Sequence, residues 1–305
     1  MLRPLAPLAA ALLLLAGCRP DFGLPVSVVT QPRILSVQAT PPEARPGDVV
    51  HLVGLPVSEA GTLADPLRFA FCASPRPLVE SNVVNSDCLG PQGQVTPIAG
   101  GVQETDATLP LDGCLEFGPD TPPQQPGQPP FRPRDPDVTG GYALPVRVSL
   151  GTEVEAIALV RLRCNLPGAS AGAAVAFAER YLANANPVST ALRLEQAGVE
   201  VSPQAVPASA EVTLRVSWGA GQVETYVVHD RADDSLRERR ESFRVSWFTT
   251  AGVIPVVTTG RAEDDLGTDT STAWQTPPSG SGTLWAVLRD SRGGASVQTL
   301  RFTVR

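Results

Sequence analysis

The sequence predicts a mainly β protein with two β-sandwich domains in tandem and one short helix near residues 171–183. Three observations lead to this prediction. Short segments rich in valine, threonine and serine alternate between apolar and polar side chains, as half-buried strands do. The chain's 31 prolines and 27 glycines cluster between these segments, where turns are expected. A similar order of strands and turns occurs in each half of the chain.

The N-terminus has the features of an export signal. Arg3 is followed by the apolar run Leu5–Leu15, which is shorter than the roughly 20 apolar residues that span a bilayer. The run ends in Leu15-Ala16-Gly17-Cys18, which resembles the lipobox of bacterial lipoproteins. This resemblance implies removal of residues 1–17 and attachment of lipid, including palmitate, to Cys18. The alternative is an ordinary signal peptide with a cysteine at this place by chance.

The residues after Cys18 predict the location. Residues 18–31 are polar and contain prolines, so we expect a lipidated stalk. In bacterial lipoproteins an aspartate directly after the lipidated cysteine retains the protein in the inner membrane. Arg19 occupies that position here, so the resemblance implies an outer-membrane lipoprotein. The net charge of −7 is spread along the chain and argues against a nucleic-acid partner.

Four cysteines remain after Cys18, and an even number in an oxidising compartment predicts two disulfides. The sequence alone leaves three connectivities open. We favour the pairs Cys72–Cys88 and Cys114–Cys164 because they close the smaller loops. All four cysteines lie within the first 164 residues and none follows, which places a disulfide-containing domain at residues 32–185 and a second domain at 186–305.

The first domain is predicted from a series of strand-like segments. Ile34–Ala39 precedes a proline-rich turn and Gly47-Asp48, and Val49–Val53 follows. This opening resembles the first two strands of bacterial immunoglobulin-like and PKD-type domains. Later segments are Leu67–Cys72, Tyr142–Leu150 and Val154–Cys164. Between the cysteines, residues 119–136 are proline-rich, and we expect a solvated loop there, the alternative being a ligand for an aromatic groove.

The second domain follows an alanine-rich segment. Residues 171–183 favour a helix, although Val175, Phe177 and Tyr181 also fit a strand. Further strands are expected at 210–218, 224–229, 242–249, 283–288 and 296–304, with Trp247 as a core residue of a central strand. Arg237–Glu241 mixes charges and is interpreted as an exposed turn.

The last two strands carry the most specific resemblance. The segment Leu284–Gly294, followed by a strand that ends at Val304, is similar to the final hairpin of PKD-type and related immunoglobulin-like domains. In the turn, Asp290 can accept a hydrogen bond from the backbone two residues on, and Gly293 can adopt positive φ. The resemblance implies two immunoglobulin-like sandwiches and no catalytic residues. The overall layout is also similar to envelope lipoproteins of GC-rich bacteria.

Ser170 is the central residue of a G-x-S-x-G match, the motif of the serine-hydrolase nucleophile elbow. It follows a strand and precedes the predicted helix, as an elbow requires. Its base would have to be His229, and a glutamate would have to complete the triad. The alternating strands and helices of that fold are missing from the pattern. An envelope serine hydrolase using Ser170 is therefore the alternative function.

Two histidines and an acidic cluster are the candidates for metal binding. His51 and His229 lie in strand-like segments and lack the spacing of zinc ligands. Asp264, Asp265 and Asp269 cluster between predicted strands, where carboxylates can bind Ca²⁺, although the spacing is not that of an EF-hand. We interpret the cluster as a solvated loop, with calcium as the alternative, and predict no cofactor.

These features together predict a non-catalytic envelope lipoprotein. It would contact the membrane through its lipid and serve as a structural or binding module for a protein or glycan partner.

Overall fold

A computed structural model describes residues 25–72, 74, 84–117, 126, 142–166 and 168–305. The signal segment, Cys18 and, apart from residue 126, the proline-rich loop 119–136 lie outside the described residues. Strands dominate the described part, so the prediction of a mainly β fold is confirmed.

The N-terminal half forms a two-sheet sandwich. One sheet contains β1 and β3, with β4 and β7 both paired to β3, and the other has the order β2-β9-β8-β5-β6. The elements are β1 Arg33–Thr40, β2 Glu43–Ala44, β3 Val49–Ser58, β4 Gly61–Thr62, β5 Leu67–Cys72, a 3-10 turn Ser86–Cys88, β6 Val95–Ile98, β7 Glu104–Thr108, helix α1 Gly113–Phe117, β8 Tyr142–Leu150 and β9 Val154–Leu162.

Alternating burial explains how these strands form a core. Along β3, Val50 and Leu52 point inward while Val49 and Val53 are exposed. Residues from the opposite sheet, such as Leu144, are fully buried against this face. Each fully buried aliphatic side chain contributes about 1.5–3 kcal/mol, which fixes the pairing register because a shift by one residue would expose the apolar set.

The C-terminal half forms a second sandwich, with sheets β11-β10-β12-β17 and β16-β15-β18-β19. The elements of this half are α2 Ala171–Arg180, β10 Arg193–Gln196, β11 Val199–Glu200, β12 Glu211–Ser217, a 3-10 turn Ala220–Gln222, β13 Thr225–Asp230, β14 Ser235–Arg240, β15 Phe243–Thr249, β16 Thr258–Arg261, β17 Asp269–Gln275, β18 Gly280–Asp290 and β19 Ala295–Val304.

Aromatic side chains fill the second core. Trp247 lies on β15, between β16 and β18, and is fully buried as the sequence predicts. Its indole Nε1 donates to Thr259 Oγ1 at 2.9 Å. Trp274 meets Phe302 edge to face with ring centroids 4.7 Å apart. Such pairs add about 0.5–1.5 kcal/mol beyond the burial of their area.

The segment Arg237–Glu241, interpreted as an exposed turn, is mostly strand, and that interpretation is wrong. Ser235–Arg240 forms β14, which pairs with β13 in a hairpin that joins neither sandwich sheet. Helix α2 packs on this hairpin through an apolar cluster that includes Phe177 and Tyr226. The helix predicted near 171–183 is formed at 171–180. Contact with α2 stabilises a strand whose charged sequence carries no alternating pattern.

The turn between β18 and β19 has the predicted chemistry. The backbone N–H groups of Arg292 and Gly294 both donate to Asp290 Oδ1 at 2.8 Å, and Gly293 has φ of 104°. A residue with a side chain would be strained at that φ.

The segment expected to be the end of a free stalk is packed against the second sandwich. Val29 N donates to Thr249 O and Thr249 N donates to Ser27 O, each at 2.8 Å, and Ser27 Oγ donates to Ile254 O at 3.2 Å. Ser27 and Val29 are fully buried. The stalk prediction for residues 18–31 is therefore corrected for the described residues 25–31, which we call the strap. Its apolar side chains gain more from burial than from solvation.

Candidate functional site

The two sandwiches meet through an apolar interface. Trp285 and Val287, on the face of β18 turned away from the second core, are fully buried against Leu35, Val57 and the strap residue Val29. The apolar run Leu284–Leu288 is continuous, and a continuous run is typical of a strand covered on both faces. The apolar run can be read from the sequence and predicts that both faces of β18 are buried. It does not show which part of the chain covers the second face.

A buried arginine joins the sandwiches beside this interface. The guanidinium of Arg292 donates from Nη2 to Glu43 Oε2 at 3.1 Å and to Tyr181 Oη at 2.9 Å. Its Nη1 donates to Glu224 Oε2 at 3.2 Å and to Glu241 Oε1 at 3.3 Å. Only 1% of the Arg292 side chain is exposed. We call this set of five side chains the clasp.

Each part of the clasp comes from a different element. Glu43 lies on β2 of the first sandwich, Tyr181 follows α2, Glu224 and Glu241 flank the β13–β14 hairpin, and Arg292 lies in the β18–β19 turn. The clasp therefore ties the first sandwich, the helix, the hairpin and the second sandwich together at one point.

An aromatic ring and the backbone of the segment between α2 and β10 also contact the clasp residues. The guanidinium carbon of Arg292 lies 4.3 Å from the centre of the Tyr226 ring, within the range of a cation–π interaction. Tyr181 Oη donates to Glu43 Oε1 at 2.7 Å, and Asn184 N donates to Glu43 Oε2 at 3.0 Å. The carboxylate of Glu43, whose side chain is fully buried, is thus held by three groups.

Burial shifts the protonation of the clasp carboxyls. Desolvation raises the pKa of Glu241 to about 8, with the negative charge of Asp290 adding to the effect. Desolvation also raises the pKa of Glu224 and of Asp290. Burial beside the carboxyls of Asp290 and Glu224 therefore favours the protonated form of Glu241. Four of the five clasp side chains are buried and Glu224 is only 16% exposed, so the arrangement serves to hold elements together.

Ser170 is a helix cap in the structure. Its Oγ accepts a hydrogen bond from Ala173 N at 3.2 Å at the start of α2. The structure does bring Ser170 near His229, but Asp234 lies between them: Asp234 Oδ1 accepts from Ser170 N at 3.2 Å and is 2.8 Å from His229 Nε2. The hydrogen bonds from Ser170 and His229 hold the pKa of Asp234 at about 2.

This order differs from that of a serine triad. A catalytic histidine lies between serine and acid, so that it can take the hydroxyl proton. Here the acid occupies the middle position, and the Ser170 hydroxyl is engaged with the helix backbone. The geometry therefore gives no support to the hydrolase alternative.

His51 lies on β3, at the surface. Its Nδ1 is 2.8 Å from Asp106 Oδ1, and this hydrogen bond raises the pKa of His51. His229 lies on β13 with its side chain fully buried. Both histidines occupy strands, as expected, and each lies within hydrogen-bonding distance of an aspartate carboxylate.

The acidic residues proposed for calcium are engaged by arginine. Arg261 Nη1 donates to Asp265 Oδ2 at 2.9 Å, and Arg261 Nη2 donates to Asp269 Oδ1 at 3.1 Å. Arg215 also binds Asp269. The remaining residue, Asp264, lies in the same loop between β16 and β17. No group of three or more metal-ligating side chains occurs among the described residues. A cation here would have to displace the Arg261 guanidinium.

Both disulfides that the sequence favoured are formed. Cys72 and Cys88 have Cα atoms 5.4 Å apart, and Cys114 and Cys164 have Cα atoms 5.6 Å apart. The first tethers the 3-10 turn to β5, and the second ties α1 to the chain after β9. Within the residues that the structure covers, none of the helices has the length and apolar character needed to cross a bilayer.

Comparisons with known proteins give fold likenesses at low similarity. No family model matches the chain, and no curated protein matches it. The fibronectin(III)-like modules of Clostridium thermocellum CbhA align with 90% of this chain and 94% of theirs, at 9% identity and a TM-score of 0.25. The D00-D0 domain of intimin aligns over 90% and 98%, at 10% identity and a TM-score of 0.22.

A third likeness is to a much longer protein. A Salmonella alpha-2-macroglobulin mutant matches 93% of this chain at 12% identity and a TM-score of 0.25, and this chain spans 15% of its length. TM-scores this low carry no argument about function. The two sandwiches are defined by the sheets and cores of the chain itself.

Proposed function

We propose that this chain is a lipid-anchored cell-envelope protein whose two sandwiches act as one rigid, non-catalytic module that presents its loops to a protein or glycan partner. The observation that carries this proposal is the buried clasp around Arg292, together with the apolar interface around Trp285. Domains in one chain move relative to each other by default unless their interface is large and apolar. A fixed arrangement suits a spacer or a binding surface whose loops must keep a set separation.

Export is supported by the lipobox at Cys18 and by the two disulfides. Disulfides persist in the periplasm and at cell surfaces and are rare in the cytosol. Acyl chains on the cysteine would give stable anchoring, because each buried methylene contributes about 0.8 kcal/mol and more than one chain is attached. The proposed location is the outer membrane, on the strength of Arg19.

The anchoring part is tested by expressing the full chain in a Gram-negative host and measuring its intact mass. We expect a species that begins at Cys18 and carries acyl chains, found in the membrane fraction. The matched variant Cys18→Ser should lose both the added mass and the membrane association. An identical mass and fractionation for wild type and variant would refute lipid anchoring.

The binding part is tested by crosslinking the anchored protein in cells and identifying what is captured. We expect one envelope protein, or glycan fragments, recovered in amounts near those of the bait. The variant Arg292→Met, in which the clasp is broken, is expected to capture less at equal expression because its loops lose their fixed separation. Recovery of only abundant envelope proteins, equally with both baits, would contradict a partner-binding role.

A further inference from the structure

The strap places the start of the described chain against the second sandwich. Pro25, the first described residue, follows Cys18 by seven positions, so an extended chain of this length reaches at most about 25 Å. The strap is hydrogen-bonded to Thr249 at the end of β15 and to Ile254 in the following loop. The segment from Cys18 therefore joins the described chain at the second sandwich, although the first sandwich comes earlier in the sequence.

The end of the second sandwich beside the strap is formed by uncharged segments. Loops 202–210, 249–257 and 276–279 meet there: Ser209 N donates to Pro277 O at 3.2 Å, and Val253 N donates to the carbonyl oxygen of Gln275, directly before loop 276–279, at 3.0 Å. These loops and the strap contain no Asp, Glu, Arg, Lys or His, whereas 18% of the whole chain is charged. We call this surface the uncharged end.

Apolar side chains project from the uncharged end. Val26 on the strap is 69% exposed, and Val256 and Val253 in the neighbouring loop are 55% and 39% exposed. Charged residues border this end: Arg33 donates from Nη1 to Val26 O at 2.8 Å and from Nη2 to Val28 O at 3.2 Å, Glu211 begins β12, and Arg301 pairs with Thr283. Of these, Glu211 accepts from Gln275 Nε2 at 2.9 Å.

The opposite end of the same sandwich has a different character. Loop 262–268 contains Glu263, Asp264 and Asp265, and Arg240 donates to the Asp265 carbonyl oxygen there at 2.8 Å. The nearby β13–β14 hairpin carries further acidic and basic side chains. Placing this end against lipid would require removing water from many charges.

We propose that the uncharged end of the second sandwich lies against the phospholipid surface, with Val26, Val253 and Val256 in the headgroup region. This inference rests on the proposed lipid anchor. Desolvating uncharged loops costs less than desolvating charged ones, and each exposed valine that leaves water adds part of the roughly 1.5–3 kcal/mol of full burial. The anchor makes this weak contact intramolecular, so three side chains are enough to orient the molecule.

This orientation has a consequence for partner binding. The loops at the clasp end of the second sandwich, including loop 262–268 and the hairpin, point away from the membrane. The first sandwich is held in register with them by the clasp. A partner would therefore meet the charged end first.

The test uses the full-length acylated protein in vesicles of phosphatidylcholine and phosphatidylglycerol. A polarity-sensitive dye is attached to Val253→Cys, with Leu266→Cys as the matched control at the opposite end, where Leu266 is 77% exposed. The four described cysteines are disulfide-bonded and Cys18 is acylated, so only the introduced thiol reacts. A second variant, Ser281→Cys, tests the same end on an independent exposed residue.

We expect quenching by spin-labelled lipid and a blue shift of the dye at residues 253 and 281, and neither effect at residue 266. Equal quenching at 253 and 266 in protein whose intact mass includes the acyl chains would overturn the orientation and leave anchoring standing. Quenching at 266 alone would reverse the orientation. A mass without acyl chains would instead refute the proposed anchoring, and this inference with it.

Discussion

Replacing Arg292 by methionine tests the clasp most directly. The substitution keeps an unbranched stem of similar length but removes the guanidinium that five acceptor groups share: Glu43, Tyr181, Leu182, Glu224 and Glu241. Breaking a buried ion pair by removing one partner costs about 3–5 kcal/mol, because the other charge stays buried and unpaired. We expect a loss in this range at pH 7.

The loss should depend on pH in a defined direction. Carboxyls left without Arg292 can escape the penalty by binding protons, and burial already raises the pKa of Glu241 to about 8. Lower pH increases the protonation of these carboxyls. The loss caused by Arg292→Met should therefore be smaller near pH 5 than near pH 8.

The assay is equilibrium unfolding in guanidinium chloride with two probes. The chain's four tryptophans all lie in the second half, and Trp285 lies at the interface between sandwiches, so fluorescence reports on that half and on the interface. Far-ultraviolet circular dichroism reports on both sandwiches. In the variant we expect the two transitions to separate, because the first sandwich has lost its main polar tie to the second.

The matched control is Arg244→Met, which removes an exposed arginine from β15 of the same domain. A surface substitution of this kind changes stability by at most about 0.5 kcal/mol. If Arg292→Met costs no more than Arg244→Met, and the two probes still coincide, the clasp does not hold the sandwiches together and the reasoning is wrong.

Four further predictions follow from particular residues. Between pH 4.5 and about 8 the folded chain keeps a proton on Glu241 that the unfolded chain releases. As the pH rises through this window, the free energy of unfolding of the wild type should therefore fall by up to about 1.4 kcal/mol per pH unit relative to Glu241→Gln. Parallel stability curves for the two proteins would contradict the raised pKa. Trp285→Ala should cost about 3–5 kcal/mol in chemical unfolding, and a loss below 1 kcal/mol would mean that the interface is not packed. Replacing Cys114 and Cys164 together by serine opens a loop of 50 residues and should cost about 4 kcal/mol, visible as a lower Tm. An unchanged Tm would speak against that disulfide. Ser170→Ala should lose about 1 kcal/mol of capping energy without changing labelling by a serine-reactive probe. Labelling of wild type alone would restore the hydrolase reading.

Local patterns were sufficient for most strands. The predicted bounds Leu67–Cys72 and Tyr142–Leu150 coincide with β5 and β8. Aromatic residues in the first segment and valines in the second lie between turn-forming residues, and this signal is contained within the strand itself. The turn at Asp290 was equally local, because its carboxylate binds the backbone two and four residues on.

The hairpin formed by β13 and β14 could not be found in this way. The sequence Ser235–Arg240 is dominated by charges and has no alternation that distinguishes a strand from a turn. Its pairing with β13 is favoured by the contact with α2, and that contact depends on where the chain between the sandwiches runs.

The sequence by itself determined that the chain is mainly β, that its four described cysteines pair as two disulfides, and that a helix forms near residue 171. Each of these depends on residue type and short-range spacing. Only the tertiary structure decided that Glu43 and Arg292, 249 positions apart, share a buried contact. It also decided that the strap binds the second sandwich. Contacts of this separation arise from the packing of completed domains, where desolvation and shape select the partners, and no local pattern encodes that selection.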